Sequence, residues 1–176
     1  MEVISIHHPH QLNRLEIPEL VMALGYFDGV HLGHQKVIIE AKKAAIEKGL
    51  KSAVMTFDPH PSVVLSKSSK QVEYITPLKH KVDFIANMGI DYLFIVRFSN
   101  EFADLLPQEF VDQYIIGLNV KHAVAGFDFT YGKMGKGNME TMPFHSRKKF
   151  TYSVVPELSA NCEKISSTLI KSLIRD

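Results

Sequence analysis

Leu20-Val21-Met22-Ala23-Leu24 is an apolar run with no polar alternation, and it constrains the fold more than any other segment. A strand of this kind is buried on both faces, the habit of parallel strands whose crossover helices cover the sheet on each side. The segment that follows, His34 to Lys48, places Val37, Ile38, Ala41, Ala45 and Ile46 at helical spacing, and Gly49 suits the position just past the helix end. Ser52 to Phe57 is then a second strand. Thr76-Pro77 reads as the N-cap and first residue of a helix ending at Gly89, and Asp91 to Val96 as a third buried strand. Pro107 opens a helix through Ile116 that Gly117 can end; Val120 to Ala125 and Tyr152 to Val155 are strands, and Ser167 to Ile174 is a last short helix. Strands alternating with helices, joined by right-handed crossovers, give an α/β fold: a Rossmann-like, doubly wound parallel sheet.

The 176 residues fit one domain, 1–176, without repeat, linker or low-complexity tract; Ser66-Lys67-Ser68-Ser69-Lys70 is the expected mobile insertion. A formal net charge of +1 provides no global field for nucleic acid, so any anion site must be built locally. No apolar run reaches the roughly 20 residues of a membrane span, and Met1-Glu2-Val3-Ile4 lacks a basic leader region. The single cysteine, Cys162, excludes an internal disulfide and fits a reducing compartment. The expected setting is the cytoplasm.

The chemistry concentrates in Gly25-Tyr26-Phe27-Asp28-Gly29-Val30-His31-Leu32-Gly33-His34, which follows a strand and opens a helix. In an open α/β sheet, ligands bind at this carboxyl end of a strand, and a helix N-terminus offers free N–H groups to a phosphate. His31 and His34 project from one side of the first turn, and Gly33 between them leaves room for a nucleotide. Two imidazole donors there would stabilise charge developing on a five-coordinate phosphorus. By themselves the residues are equally compatible with two surface histidines. Zinc is a weaker rival, because no cysteine or third close ligand accompanies the pair. The stretch is neither of the common glycine-rich phosphate loops.

This stretch resembles the G-x-F-D-G-x-H-x-G-H signature of bacterial FAD synthetases, whose adenylyltransferase module belongs to the HxGH nucleotidyltransferase superfamily. Three more segments are similar to that family's motifs in order: Thr56-Phe57-Asp58-Pro59-His60-Pro61, Gly126-Phe127-Asp128-Phe129-Thr130-Tyr131-Gly132-Lys133 and Ile165-Ser166-Ser167-Thr168. The resemblance implies a Rossmann-like sheet of the nucleotidyltransferase type and transfer of AMP from ATP to FMN, giving FAD and pyrophosphate. It implies His31 and His34 at the α-phosphate, and Gly25, Phe27, Asp28, Gly33, Lys164, Ser167, Thr168 and Lys171 around ATP. Phe57, Pro59, His60, Pro61, Asp128, Phe129 and Thr130 would contact FMN, with Asp128 also the candidate ligand for Mg²⁺. ATP and FMN would be the partners, with no nucleic acid or membrane; flavin-dependent acceptor proteins are partners the sequence does not identify. The family's riboflavin kinase module, a second domain, is expected to be absent.

Bare residue readings stand beside these. Ser-Ser-Thr before a helix is an ordinary cap, and Asp128 an ordinary turn former. The Gly132–Gly137 loop reads equally as a basic flap or as solvated chain. His7, His8 and His10 lack an acidic or cysteine partner for a metal, His80, His122 and His145 have no partner pattern, and Phe102, Leu105, Leu106, Phe110 and Tyr114 read as core. Rival functions are a related transferase with another acceptor (phosphopantetheine, nicotinamide mononucleotide or a CTP-dependent phosphoalcohol) and a non-catalytic flavin- or nucleotide-binding module.

The family's last motif continues with two arginines where this chain has Leu169 and Lys171. A guanidinium grips two phosphate oxygens, whereas an ammonium acts as a point charge. Lys171→Arg should therefore tighten ATP binding by on the order of 1 kcal/mol, and Lys171→Ala should weaken ATP more than FMN. Equal ATP affinities for Ala, Lys and Arg at fixed ionic strength would make residue 171 a solvated helix charge.

Overall fold

The computed structural model describes residues 1–28, 32–65, 77–157, 159–160 and 163–164. His31, the insertion 66–70, Thr76, Cys162, the 165–168 motif, Leu169, Lys171 and the last expected helix lie outside these. The expected strands are all present: β2 (Leu20–Leu24), β3 (Lys51–Asp58), β4 (Tyr92–Arg97), β5 (Val120–Gly126) and β8 (Thr151–Val155). A further strand, β1 (Glu2–Ile6), completes a six-stranded sheet of order β1-β4-β3-β2-β5-β8, in which every pairing is parallel. β1 escapes an apolar-run reading because it is an edge strand with only Ile6 buried.

The all-apolar β2 explains the layering. Leu20, Met22 and Leu24 enter one core, and Val21 and Ala23 the other. Over the second face lie α1 (Leu32–Lys48), through Val37, Ile38, Ala41 and Ala45, and α3 (Leu78–Asn87), through Ile85. Over the first lie Phe102, Phe110, Val111, Tyr114, Ile115 and Leu118. Ile46, expected on the buried stripe of α1, is instead 72% exposed, because it lies beyond the arc that meets the sheet. α1 ends as expected: Gly49 has φ +68°, and Leu50 N–H donates to the Ala45 carbonyl at 2.9 Å, which closes the helix end.

Pro77 is the N-cap of α3 rather than its first residue. The helix opened by Pro107 changes pitch along its length. It runs as α5 (Pro107–Phe110), then a π-turn over Val111–Ile115, then a 3₁₀ turn over Ile116–Leu118. Gly117 does not end it; Asn119 does, in the left-handed region at φ 63°, with its side chain donating to the Ile17 carbonyl at 2.7 Å. Short elements that no long apolar pattern announces fill the connections: α2 (Pro61–Leu65), α4 (Asn100–Ala103), the hairpin of β6 (Thr130–Tyr131) and β7 (Gly137–Asn138), α6 (Met142–Ser146), and the pair β9 (Ser159–Ala160) and β10 (Glu163–Lys164). No described helix is long and apolar enough to cross a membrane.

The burial of α1 can be checked on two isoleucines. Ile38→Ala, at a fully buried position, should cost about 2–5 kcal/mol, whereas Ile46→Ala should stay within about 0.5 kcal/mol of wild type. Urea unfolding of the two variants measures the contrast, and equal losses would contradict this packing.

Candidate active site

β2 lies between β3 and β5, so the chain winds away from it in two directions and the carboxyl ends of these strands flank the switch point of the sheet. Three connections meet there. Tyr26, just past β2, has its ring 5.0 Å from that of Phe57 at the end of β3, 5.8 Å from His60, and 6.4 Å from Phe129 just past β5. The segments singled out from sequence after β2, β3 and β5 thus share one end of the sheet.

The turn out of β2 is set by Phe27, which has φ 56° although it is not glycine and is 1% exposed. Its ring is seated over Gly25, where an added Cβ would come within 2.8 Å of the ring. It packs edge-on against the His34 imidazole, with centroids 5.5 Å apart at 89°. The Phe27 side chain therefore supports the first turns of α1 from the core. Only its backbone is left for the nucleotide contact expected of it. Gly33 lies in the first turn of α1, beside the half-buried His34.

Beside this turn is a polar knot. The Asp28 carboxylate is 3.0 Å from His60 Nε2 and 3.5 Å from Lys81 Nζ. Lys81, on α3 and 3% exposed, also donates to the Tyr26 carbonyl at 2.9 Å and to Thr56 Oγ1 at 3.1 Å. Burial alone would raise the Asp28 pKa, but the hydrogen bond from His60 and the Lys81 charge outweigh it and hold the carboxyl below its ordinary value. Burial pulls the Lys81 ammonium below the ordinary lysine range, partly offset by Asp28 and Asp58. Tyr26 is pushed up by burial and by the Asp28 charge, and so stays neutral. Lys81 was absent from the residues found by sequence, although it stands three residues after Leu78 and four before Ile85, on the stripe of α3 that meets the sheet; a charged residue on an apolar stripe is the signal that could have found it.

Next to the knot opens an apolar cavity of about 320 Å³. Tyr26, Phe57 and Pro61 form one side; Phe98, Phe102, Leu105 and Phe110 another; and Phe129, Thr130, Tyr131 and the turn Gly132–Gly135 the third. The stripe read as core is thus both core and cavity wall, with Tyr114 behind it and Leu106 exposed. Pro59, expected like Phe57 and Pro61 to contact FMN, stands outside the lining. Within the Gly132–Gly137 loop, Lys133 and Met134 face the cavity, and Met134 is 82% exposed at φ 57°. Tyr131 is held from behind by His145, whose Nδ1 lies 2.7 Å from the phenol oxygen. His8 Nδ1 lies 2.9 Å from the Tyr114 hydroxyl, His10 Nε2 lies 2.8 Å from the Gln113 carbonyl, and His122 bridges Thr151 and Ser153.

Asp128 is exposed and folds back over Gly126, where its Oδ1 and Val37 of α1 both approach the position a Cβ would take. Among the described residues no three His, Cys, Asp or Glu side chains are grouped to hold a metal. Mg²⁺ with a nucleotide needs only one or two carboxylates beside phosphate oxygens, so a lone exposed Asp128 fits that donor set. Lys164 lies in β10, paired antiparallel with β9.

A parallel sheet of this order, with a histidine-bearing helix start at its switch point, is an α/β fold of the nucleotidyltransferase type. Residues 14–169 match the model of the FAD synthetase family, and the chain belongs to that family. It is 54% identical over 176 residues to the bifunctional riboflavin kinase/FMN adenylyltransferase of Bacillus subtilis, covering 100% of this chain and 56% of that protein. Against the protein of the same description from Listeria monocytogenes the identity is 49% over the same spans. The chain thus spans about half the length of these curated relatives. A crystal structure described as a macrolide-efflux protein from Streptococcus pneumoniae matches with a TM-score of 0.79 at 33% identity, covering 99% of this chain and 58% of that one. What it shares with this chain is the fold.

The Asp28 knot makes a pH prediction. Because folding lowers the Asp28 pKa, its contribution is present at neutral pH and lost as pH falls from about 5 through the depressed folded value. Asp28→Asn should therefore show a shallower acid loss of stability than wild type in urea unfolding followed against pH; identical slopes would mean the carboxylate is not held by its partners.

Proposed function

We propose that this chain is an FMN adenylyltransferase, joining the AMP of ATP to the phosphate of FMN. The observation that carries the reading is an aromatic-lined cavity of about 320 Å³ at the end of the parallel sheet from which the turn into the histidine-bearing α1 also leaves, with Tyr26 of that turn in its lining. A flat, apolar, three-ring flavin suits walls made of Tyr26, Phe57, Phe129 and Tyr131, and Pro61 and Thr130 border the same space. The family description, and the names of the relatives from Bacillus and Listeria, favour flavin over the other acceptors compatible with the sequence.

No covalent intermediate and no general base are needed. The FMN phosphate, with a second pKa of about 6, is largely a dianion at neutral pH. One of its oxygens attacks the α-phosphorus of ATP in line; the new P–O bond forms as the bond to the β-phosphate oxygen breaks, and pyrophosphate leaves. His31 and His34 donate to the α-phosphate oxygens as charge builds there. Gly25, Gly33 and the backbone of Phe27 and Asp28 would border the nucleotide, and Lys164 would contact ATP. Ser167, Thr168 and Lys171 would hold the departing pyrophosphate. His60, tied to Asp28, would sit between the two substrates. Asp128 would hold Mg²⁺, which supplies charge neutralisation to the phosphates when bound.

Incubation with FMN and ATP should give FAD and pyrophosphate, separated chromatographically, whereas CTP in place of ATP should not. His34→Ala should lower turnover by ~10²–10³ with little loss of stability, as for the loss of one preorganised donor, and His31→Ala should act in the same direction. Near-wild-type FAD formation with both histidines replaced would overturn the mechanism.

A further inference from the structure

The ammonium of Lys81 touches both of the chain segments that a transfer between two substrates must keep in register. On one side are the Tyr26 carbonyl, at 2.9 Å, and Asp28 Oδ1, at 3.5 Å, both on the exit from β2. On the other are Thr56 Oγ1, at 3.1 Å, and the Phe57 carbonyl, at 3.5 Å, both in β3. Two further bonds cross the same gap: Thr56 Oγ1 donates to the Tyr26 carbonyl at 2.9 Å, and His60 meets Asp28 Oδ2 at 3.0 Å. The β2 exit leads into the histidine motif at the start of α1, while Phe57 is a wall of the aromatic cavity.

Stability is a poor reason for this arrangement. A buried ion pair can usually be replaced by an apolar group of similar volume with little loss, because desolvating the charges cancels much of their attraction. Burial indeed acts against the Lys81 charge, and Asp28 and Asp58 only partly offset it. Removing the ammonium would not orphan its neighbours: Asp28 keeps His60, and the Tyr26 carbonyl keeps Thr56. What an apolar side chain could not reproduce is the directional tie between two loops.

We propose that Lys81 is a positioning residue that fixes the spacing between the phosphate-binding turn after β2 and the flavin-facing end of β3, so that the acceptor phosphate meets the α-phosphorus at attacking distance. The inference rests on the FMN adenylyltransferase reading. It separates binding from turnover: each substrate is held mostly by its own loop, while the rate depends on the distance between the loops. Misplacement of reacting groups by about 1 Å costs on the order of 10² in rate.

The test is Lys81→Met, with wild type alongside. Turnover at saturating substrates should fall by on the order of 10², while the separate dissociation constants of FMN, followed by its fluorescence, and of ATP change by less than about threefold. A folded variant with turnover within about threefold of wild type overturns the proposal, as does a loss of turnover matched by equal losses in both affinities. Should Lys81→Met fail to fold, Lys81→Arg keeps the charge on a broader head group and should show the same split between turnover and affinity. Hydrogen exchange reads the tie without turnover: amides of residues 26–28, 57, 58 and 60 should exchange faster in either variant, with β2 and β4 unchanged, and unaltered protection there overturns the proposal. Absence of FAD formation by wild type would instead overturn the functional reading, and the exchange measurement would still decide the role of Lys81.

Discussion

The structure depends on β2 being buried on both sides. A strand in the middle of a parallel sheet cannot turn back to its neighbour through a hairpin, so each connection must cross over a face. Leu20, Met22 and Leu24 need a cover on one face and Val21 and Ala23 on the other. The helices that provide it leave and enter at opposite ends of the sheet. All strand exits therefore gather at one end, and the two winding directions part beside β2. The crevice at that parting is a by-product of burying five apolar residues, and the chain places its polar chemistry there.

Charge within the crevice is organised on the same principle of local satisfaction. Asp28 is shared between His60 and Lys81, and every partner of Lys81 comes from a strand end or the loop beyond it. A net charge of +1 across the chain says nothing of this. The arrangement puts a cation and a carboxylate under the site, next to a cavity whose walls are mostly aromatic and aliphatic, with Asp104, Thr130 and Lys133 as the polar exceptions. Polar grip and apolar receptacle stand side by side, as joining a flavin to a nucleotide would require.

The strands, α1 and the meeting of three motifs at one end of the sheet were legible because each rests on a local pattern: an apolar run, a helical stripe, a glycine before a helix. The misses have physical causes. β1 is an edge strand, and only Ile6 carries the apolar signal of burial. Gly117 looked like a helix stop, but Asn119 takes the left-handed position because its amide also secures the Ile17 carbonyl. Phe102, Leu105 and Phe110 have core spacing and are core, yet one side of the same residues lines a cavity, which spacing cannot express. Lys81 shares the buried stripe of α3 with Leu78 and Ile85, but its partners at Tyr26, Asp28, Thr56 and Phe57 lie 24 or more positions away along the chain, so only the folded arrangement shows what it holds.

The seat of Phe27 over Gly25 has a consequence for how such a site can diversify. Residue 25 is bare because the ring two positions later fills the space its side chain would need, and that ring in turn props the His34 imidazole. A lineage cannot try a larger residue at 25 without first shrinking 27, and shrinking 27 withdraws the prop from 34. The three positions are therefore coupled sterically, so that a change at one alters the space or support at the next.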